Sequence, residues 1–259
     1  MEVRESQISP QAIARTGGAL YLIIIFFGGF GEMFVRNRLI VWGDATATAE
    51  RILASEMLWR LSVGAELFYL LCAVALAGIF YFLLRPVSHV LALLAVFFNL
   101  VAIAIEAIGR LHLISALNIL RGSETLGAFE PSQLHALAYV ALQSHGRGFS
   151  VSLMFFGCAC LVLGYLIFRS GFLPKVLGIL MPIAGLGYLV DGFSLILAPA
   201  FHAMIFPGSL LPALVAELSL CLWLLVKGVN VSKWQVRAGV PLAPRTGDAV
   251  SDVSMDREA

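Results

Sequence analysis

The stretch LSVGAELFYLLCAVALAGIFYFLLRPVSH, residues 61–89, decides the fold. Between Glu66 and Arg85 it runs through eighteen residues without a charge. A helix needs roughly 20 predominantly apolar residues to cross a bilayer. Read back to about residue 58, the run clears that length and stops at Arg85-Pro86. Five further runs share the pattern, giving six spans near 17–41, 58–84, 87–118, 148–168, 173–197 and 209–227. The fold class is all-α: a polytopic membrane protein of six transmembrane helices.

Composition agrees. Of 259 residues, 60% are hydrophobic and 13% charged, and mean hydropathy is +0.92. Soluble domains lie nearer half apolar and a quarter charged. The net charge of +1 carries no basic stripe, so no nucleic acid is expected as a partner. Cys72, Cys158, Cys160 and Cys221 all fall inside apolar runs. They read as small buried hydrophobes rather than a disulfide framework. The first run lacks a small-x-small cleavage site and reads as an uncleaved span.

The connections carry their own signals. DATATAERILASEMLWRLS, 44–62, reads as an amphipathic helix running into span 2. Pro131 suits a first helical turn, so 131–145 reads as a second amphipathic helix, ahead of span 4. The domain reading is a cytoplasmic N-terminal segment 1–16, a six-helix membrane domain 17–230 and a disordered cytoplasmic tail 231–259. The positive-inside rule places both termini in the cytoplasm. Arg85, Arg169, Lys175, Lys227 and Lys233 stand on that side without acidic neighbours. Outer arginines are matched instead in the i, i+4 pairs Glu32–Arg36, Glu56–Arg60 and Glu106–Arg110.

Counted at about 1.5 Å per residue, the acids crowd the outer half. Glu32, Glu106 and Asp191 lie past the midplane, and Glu66 and Glu217 about 10 Å in from the outer surface. Inner segments such as VLALLAVFF and FFGCACLVLGYLIF hold no ionisable group beyond cysteine and tyrosine. Asn99 is the clear amide near the middle. A charge in hydrocarbon costs on the order of 3 kcal/mol even on lenient scales. The acids must therefore converge on arginines, on each other and on water, in a funnel open outward above an apolar plug.

Glu66, Asp191 and Glu217 have no base one turn away and are the candidate catalytic acids. Arg60, His145, Glu32, Glu106 and Arg110 are the candidate ligand-binding residues, with His145 at the rim. For Glu32–Arg36 and Glu106–Arg110 the plainer reading is a helix-end ion pair. For Pro182, Gly185 and Gly187 it is close helix packing. No metal or cofactor is expected, since no H-x-x-x-H spacing occurs.

Six ordered strings carry a resemblance: RTGGALYLIII, VWGDATATAERILASEMLWR, LLRPV, FFG-x(5)-LGYLIFRSGFLPKVLGIL, GLGYLVDGF and AELSLCLWLLVKG. Together, over roughly residues 15 to 229, they resemble a bacterial membrane family catalogued as domain of unknown function 4386. The resemblance implies six spans, a bacterial inner membrane and no particular activity. It also implies recurring polar positions at Arg36, Gly43, Asp44, Thr48, Ser55, Arg60, Ser170, Tyr188, Asp191, Glu217 and Lys227. SHGRG at 144–148 departs from the family's LHGYG-like string at Arg147.

The leading expectation is an integral membrane protein with an outward-facing polar pocket for a lipid or small hydrophobic ligand. The alternatives are an intramembrane enzyme using a protonated acid on a lipid or isoprenoid, a proton-coupled transporter, and a structural accessory subunit. The sequence fixes no oligomeric state.

Overall fold

The computed structural model describes residues 9–122 and 126–240. The described residues are all-α, without a strand. Helix α1 spans Pro10–Leu39, α2 Ala45–Ala54, α3 Glu56–Leu84, α4 His89–Arg121, α5 Pro131–Ser170, α6 Lys175–Leu197, α7 Pro199–Ile205, α8 Leu211–Val226 and α9 Val231–Ala238. Six of these, α1, α3, α4, α5, α6 and α8 with its leading turn, are long and apolar enough to cross a membrane.

The six long helices form a ring. Each packs on its neighbours in chain order, and α8 closes back onto α1. Neighbours are antiparallel: Gly28 lies beside Tyr69 while Gly17 lies beside Leu76. The outer surface is oily, with Phe26, Leu71, Phe97, Ile183 and Leu222 all exposed. In water such a girdle would be a liability. In lipid it is the solvent-facing surface, and no hydrophobic force holds helix to helix. Close approach must do that work instead. Gly157 of α5 and Gly185 of α6 each meet the other's backbone carbonyl, where a Cβ would stand 2.8 and 2.6 Å from it. The packing role read for Gly185 is therefore the one it plays. Pro182 sits inside α6, against Gly164 of α5.

Two hydrophobic clusters divide the ring along its length. The larger includes Leu76, Leu83, Ala95, Leu166, Met181 and Leu224 and fills the half that the sequence left uncharged. The smaller joins Val35, Ile52, Trp59, Leu113, Leu117 and Leu142 at the opposite end. Trp59 Nε1 donates to the Leu113 carbonyl at 3.2 Å and ties α3 to α4 there.

Four local features differ from the sequence reading. First, α1 starts at Pro10, ahead of the span start read at 17. Gln11 holds that end, donating to the Lys227 carbonyl at 2.7 Å and accepting from Val229 N at 3.0 Å. Second, 44–62 is two helices. Asp44 caps α2 by accepting from Ala47 N at 2.9 Å, and the chain breaks at Ser55 before α3. Third, 131–145 and span 4 are one helix of 40 residues. Gly146 and Gly148 cost about 1 kcal/mol each against alanine, too little to break a helix packed along its length. Fourth, the start of the expected disordered tail is α9. Trp234 is buried there, donates to the Leu83 carbonyl at 2.9 Å and stacks on Phe82. The remainder of that tail, 241–259, lies outside the described residues.

Candidate functional site

The polar residues do converge, but in three groups, the first two sharing Glu106. In the first, Glu66 of α3 is fully buried and meets arginines from two other helices. Arg36 of α1 donates from Nη1 to Glu66 Oε1, and Arg110 Nε of α4 lies 2.8 Å from Glu66 Oε2. That second contact has the distance of an ion pair without hydrogen-bond alignment. Each arginine also holds its own i, i+4 acid. Arg36 Nε is 2.6 Å from Glu32, and Arg110 Nη2 is 2.9 Å from Glu106. The chain Glu32–Arg36–Glu66–Arg110–Glu106 therefore carries three acids on two bases.

The local backbone is shaped for this chain of charges. Residues Phe30–Arg36 form a π-helical segment, the kind of widened turn that re-aims side chains. Gly31 faces Glu66, and a Cβ there would collide with Glu66 Oε1. His145 is buried one helix further round, with Nδ1–H donating to the Gly109 carbonyl at 3.2 Å. It fastens α5 to α4 beside Arg110 and is not at a rim. The smaller hydrophobic cluster lies beyond this layer along α1, α3, α4 and α5. On that side Arg36, Glu66 and Arg110 are buried and Glu32 alone of that chain of charges is exposed, where an open funnel was expected.

The second group is a cavity of about 220 Å³ at the centre of the ring, lined from all six long helices. Glu106 and Tyr69 stand at one end, and Tyr69 OH donates to Glu106 Oε2 at 2.5 Å. Tyr21, Tyr188, Glu217 and Phe80 stand toward the other. From Gly28, level with Tyr69, down to Tyr21 is about 10 Å along α1. The walls between are apolar, from Ile24, Leu70, Ile103 and Leu153, with Asn99 as a deep amide.

Among the described residues Glu217 has no arginine partner. Tyr21 OH donates to its Oε2 at 3.0 Å and Tyr188 OH to its Oε1. Nine residues separate it from the end of α8, or about 14 Å, close to half a hydrocarbon core of about 30 Å. Glu66 is about 27 Å from the matching end of α3. The two acids therefore do not share a depth, as the count from the entry of each span implied. The reason lies in the connection before α8. Ser209 of the turn leading into α8 packs level with Gly187 and Asp191 of α6, so α8 starts sunken below the end of α6.

The third group surrounds Asp191, which is buried and lines neither the cavity nor the arginine layer. Ser209 donates to its Oδ1 at 2.9 Å, and His202 Nδ1 of α7 lies 3.7 Å from the same oxygen. Among the described residues Asp191 Oδ2 has no hydrogen-bond partner. Arg60 joins none of the groups. It is exposed and pairs at 2.7 Å with Glu56, which also meets Arg121 at 3.4 Å. Of the sequence's candidates, the structure brings Glu32, Glu66, Glu106 and Arg110 into one layer. It puts Glu106 and Glu217 on one cavity and leaves Asp191 and Arg60 apart.

Sequence reasoning gave Arg36 only a helix-end role and did not place Tyr21, Tyr69 or Tyr188 in the site. The tyrosines had a readable signal: a phenol in an apolar run needs a hydrogen-bond partner when buried.

Residues 16–228 match the family described as Domain of unknown function (DUF4386), and the chain belongs to that family. The matched region takes in the ring and ends ahead of α9. An uncharacterized protein of the archaeon Archaeoglobus fulgidus is 29% identical over 162 residues, covering 62% of this chain and 79% of the relative. The likeness thus reaches beyond bacteria. No solved structure matches.

Proposed function

We propose that the ring is a membrane-embedded binding protein whose central cavity takes one small, largely apolar molecule bearing a polar group. The observation that carries this reading is the cavity itself. Six helices converge on it, its walls are apolar, and two carboxylates face it through tyrosine hydroxyls. A purely structural bundle would close that space, because lost packing contacts are costly. Few convergent polar groups in an apolar void are the usual form of a small-molecule site.

Size narrows the ligand. A cavity of ~150 Å³ holds benzene, so 220 Å³ holds about nine non-hydrogen atoms by proportion. That excludes a whole phospholipid and fits a short amphiphile. The charge bias of the termini supports a cytoplasmic placement for both, in a bacterial inner membrane or its archaeal equivalent. Cysteine labelling from each side of the membrane tests that placement.

Ligand binding is tested with the full chain in lipid nanodiscs, titrated calorimetrically with a series of six- to twelve-atom amphiphiles. Binding by members of about the stated size is expected, with loss in Ala73→Leu and Ala102→Leu, which fill the void. If nothing in the series binds the wild type at millimolar concentration, the reading is wrong. The depth of Glu217 favours a second reading, in which that acid carries a proton as the ligand crosses. Ligand-driven proton flux in liposomes, abolished by Glu217→Gln, is its test.

A further inference from the structure

We infer that the ligand of the central cavity is an organic ammonium ion, held by Glu217 within an aromatic cage. This rests on the binding reading above and names the chemistry of the polar group. Three observations carry it.

The first is charge. Glu32, Glu66, Glu106 and Glu217 supply four negative charges when ionised, and Arg36 and Arg110 supply two positive ones. Both arginines are engaged by the first three acids. Glu217 has only phenol donors, Tyr21 and Tyr188. Phenols orient a carboxylate but do not neutralise it. A cation entering the cavity meets the one of these four acids that no arginine pairs among the described residues, in a medium where its attraction for the carboxylate is weakly screened.

The second is the walls beside Glu217. Tyr21 and Phe80 meet edge-to-face with ring centroids 6.2 Å apart, and Tyr188 and Phe156 meet at 5.5 Å. All four line the cavity with Phe149 and Tyr69. Aromatic faces attract alkylammonium groups through the ring quadrupole, most strongly when the cation is desolvated. A neutral hydrocarbon of equal size needs no such density of rings around a carboxylate.

The third is the charge of the lining, whose ionised side chains would be the carboxylates of Glu106 and Glu217, with no lysine, arginine or histidine beside them. Arg110 stands behind that lining, turned to Tyr69, Glu106 and Glu66, with Nη1 left without a hydrogen-bond partner among the described residues. A carboxylate or phosphate ligand would face Glu106 and Glu217 at the two ends. An ammonium is met by a carboxylate at either end and by the rings beside Glu217.

The test uses two probes of one shape: choline and its uncharged carbon analogue, 3,3-dimethylbutan-1-ol. Each has seven non-hydrogen atoms and fits the volume. Binding to the full chain in nanodiscs is measured by calorimetry at fixed salt. Choline should bind at least about tenfold more tightly than the alcohol, the scale of a desolvated cation–π contact. Glu217→Gln should erase that preference, bringing the two probes to within about twofold of each other. Should that variant fail to fold, Phe156→Leu removes one ring of the lining and is expected to cut the same choline-to-alcohol ratio. If the alcohol binds as tightly as choline, the ammonium assignment is overturned and the pocket reading stands. If neither probe nor any member of the amphiphile series binds, both fail.

Discussion

Glu66 and Glu217 are the same residue on helices that cross in the same direction, and the fold treats them in opposite ways. Glu66 lies in the arginine layer, sealed from water and shared by α1 and α4. Glu217 lies near mid-depth, opens on a void and, among the described residues, is hydrogen-bonded by tyrosines alone. A buried ion pair costs desolvation on both sides and is a weak source of net stability, but breaking it strands a charge. The first acid is committed to holding three helices together. The second is held in place by phenols alone, with no base paired to it among the described residues.

The largest expected effect tests the saturated side of that contrast. Arg110→Met leaves Glu106 without a base and Glu66 with Arg36 alone, and should cost about 3–5 kcal/mol. Thermal unfolding in detergent, followed by circular dichroism, reads the loss; a wild-type melting curve would mean the layer is not structural. Next comes Gly31→Ala, whose new methyl collides with Glu66 Oε1. Overpacking of this kind costs about 1–3 kcal/mol. The same melting experiment should place it between Arg110→Met and wild type.

Glu217→Gln should be milder. The amide keeps an acceptor for a tyrosine hydroxyl and removes an unpaired charge, so stability should move by about 1 kcal/mol or less, while ligand preference is lost. A destabilisation as large as that of Arg110→Met would erase the distinction between the two acids. Arg60→Ala should do least. Arg60 is exposed, and Glu56 keeps its contact with Arg121, so neither melting nor binding should change measurably.

Much of this architecture is legible along the chain. The six spans follow from run length, and the pairs Glu32–Arg36, Glu56–Arg60 and Glu106–Arg110 from helical spacing. All three pairs form. The site is less legible. Depth counted from the entry of each span puts Glu66 and Glu217 level, and they are not, because the turn before α8 dips beside Asp191. Tail composition said disorder at 231–238, yet one tryptophan docked on Phe82 and Leu83 is enough to order a helix.

The sequence by itself determined that this is a six-span helical membrane protein with its charges confined to particular stretches. Hydrophobic run length and helical periodicity are local properties, and hydrocarbon enforces them residue by residue. Only the tertiary structure decided which acid is neutralised and which faces a void. That depends on arginines and tyrosines delivered from other helices. Partner choice across a ring is set by where helices start and how closely their glycines let them approach, and a linear pattern does not encode either.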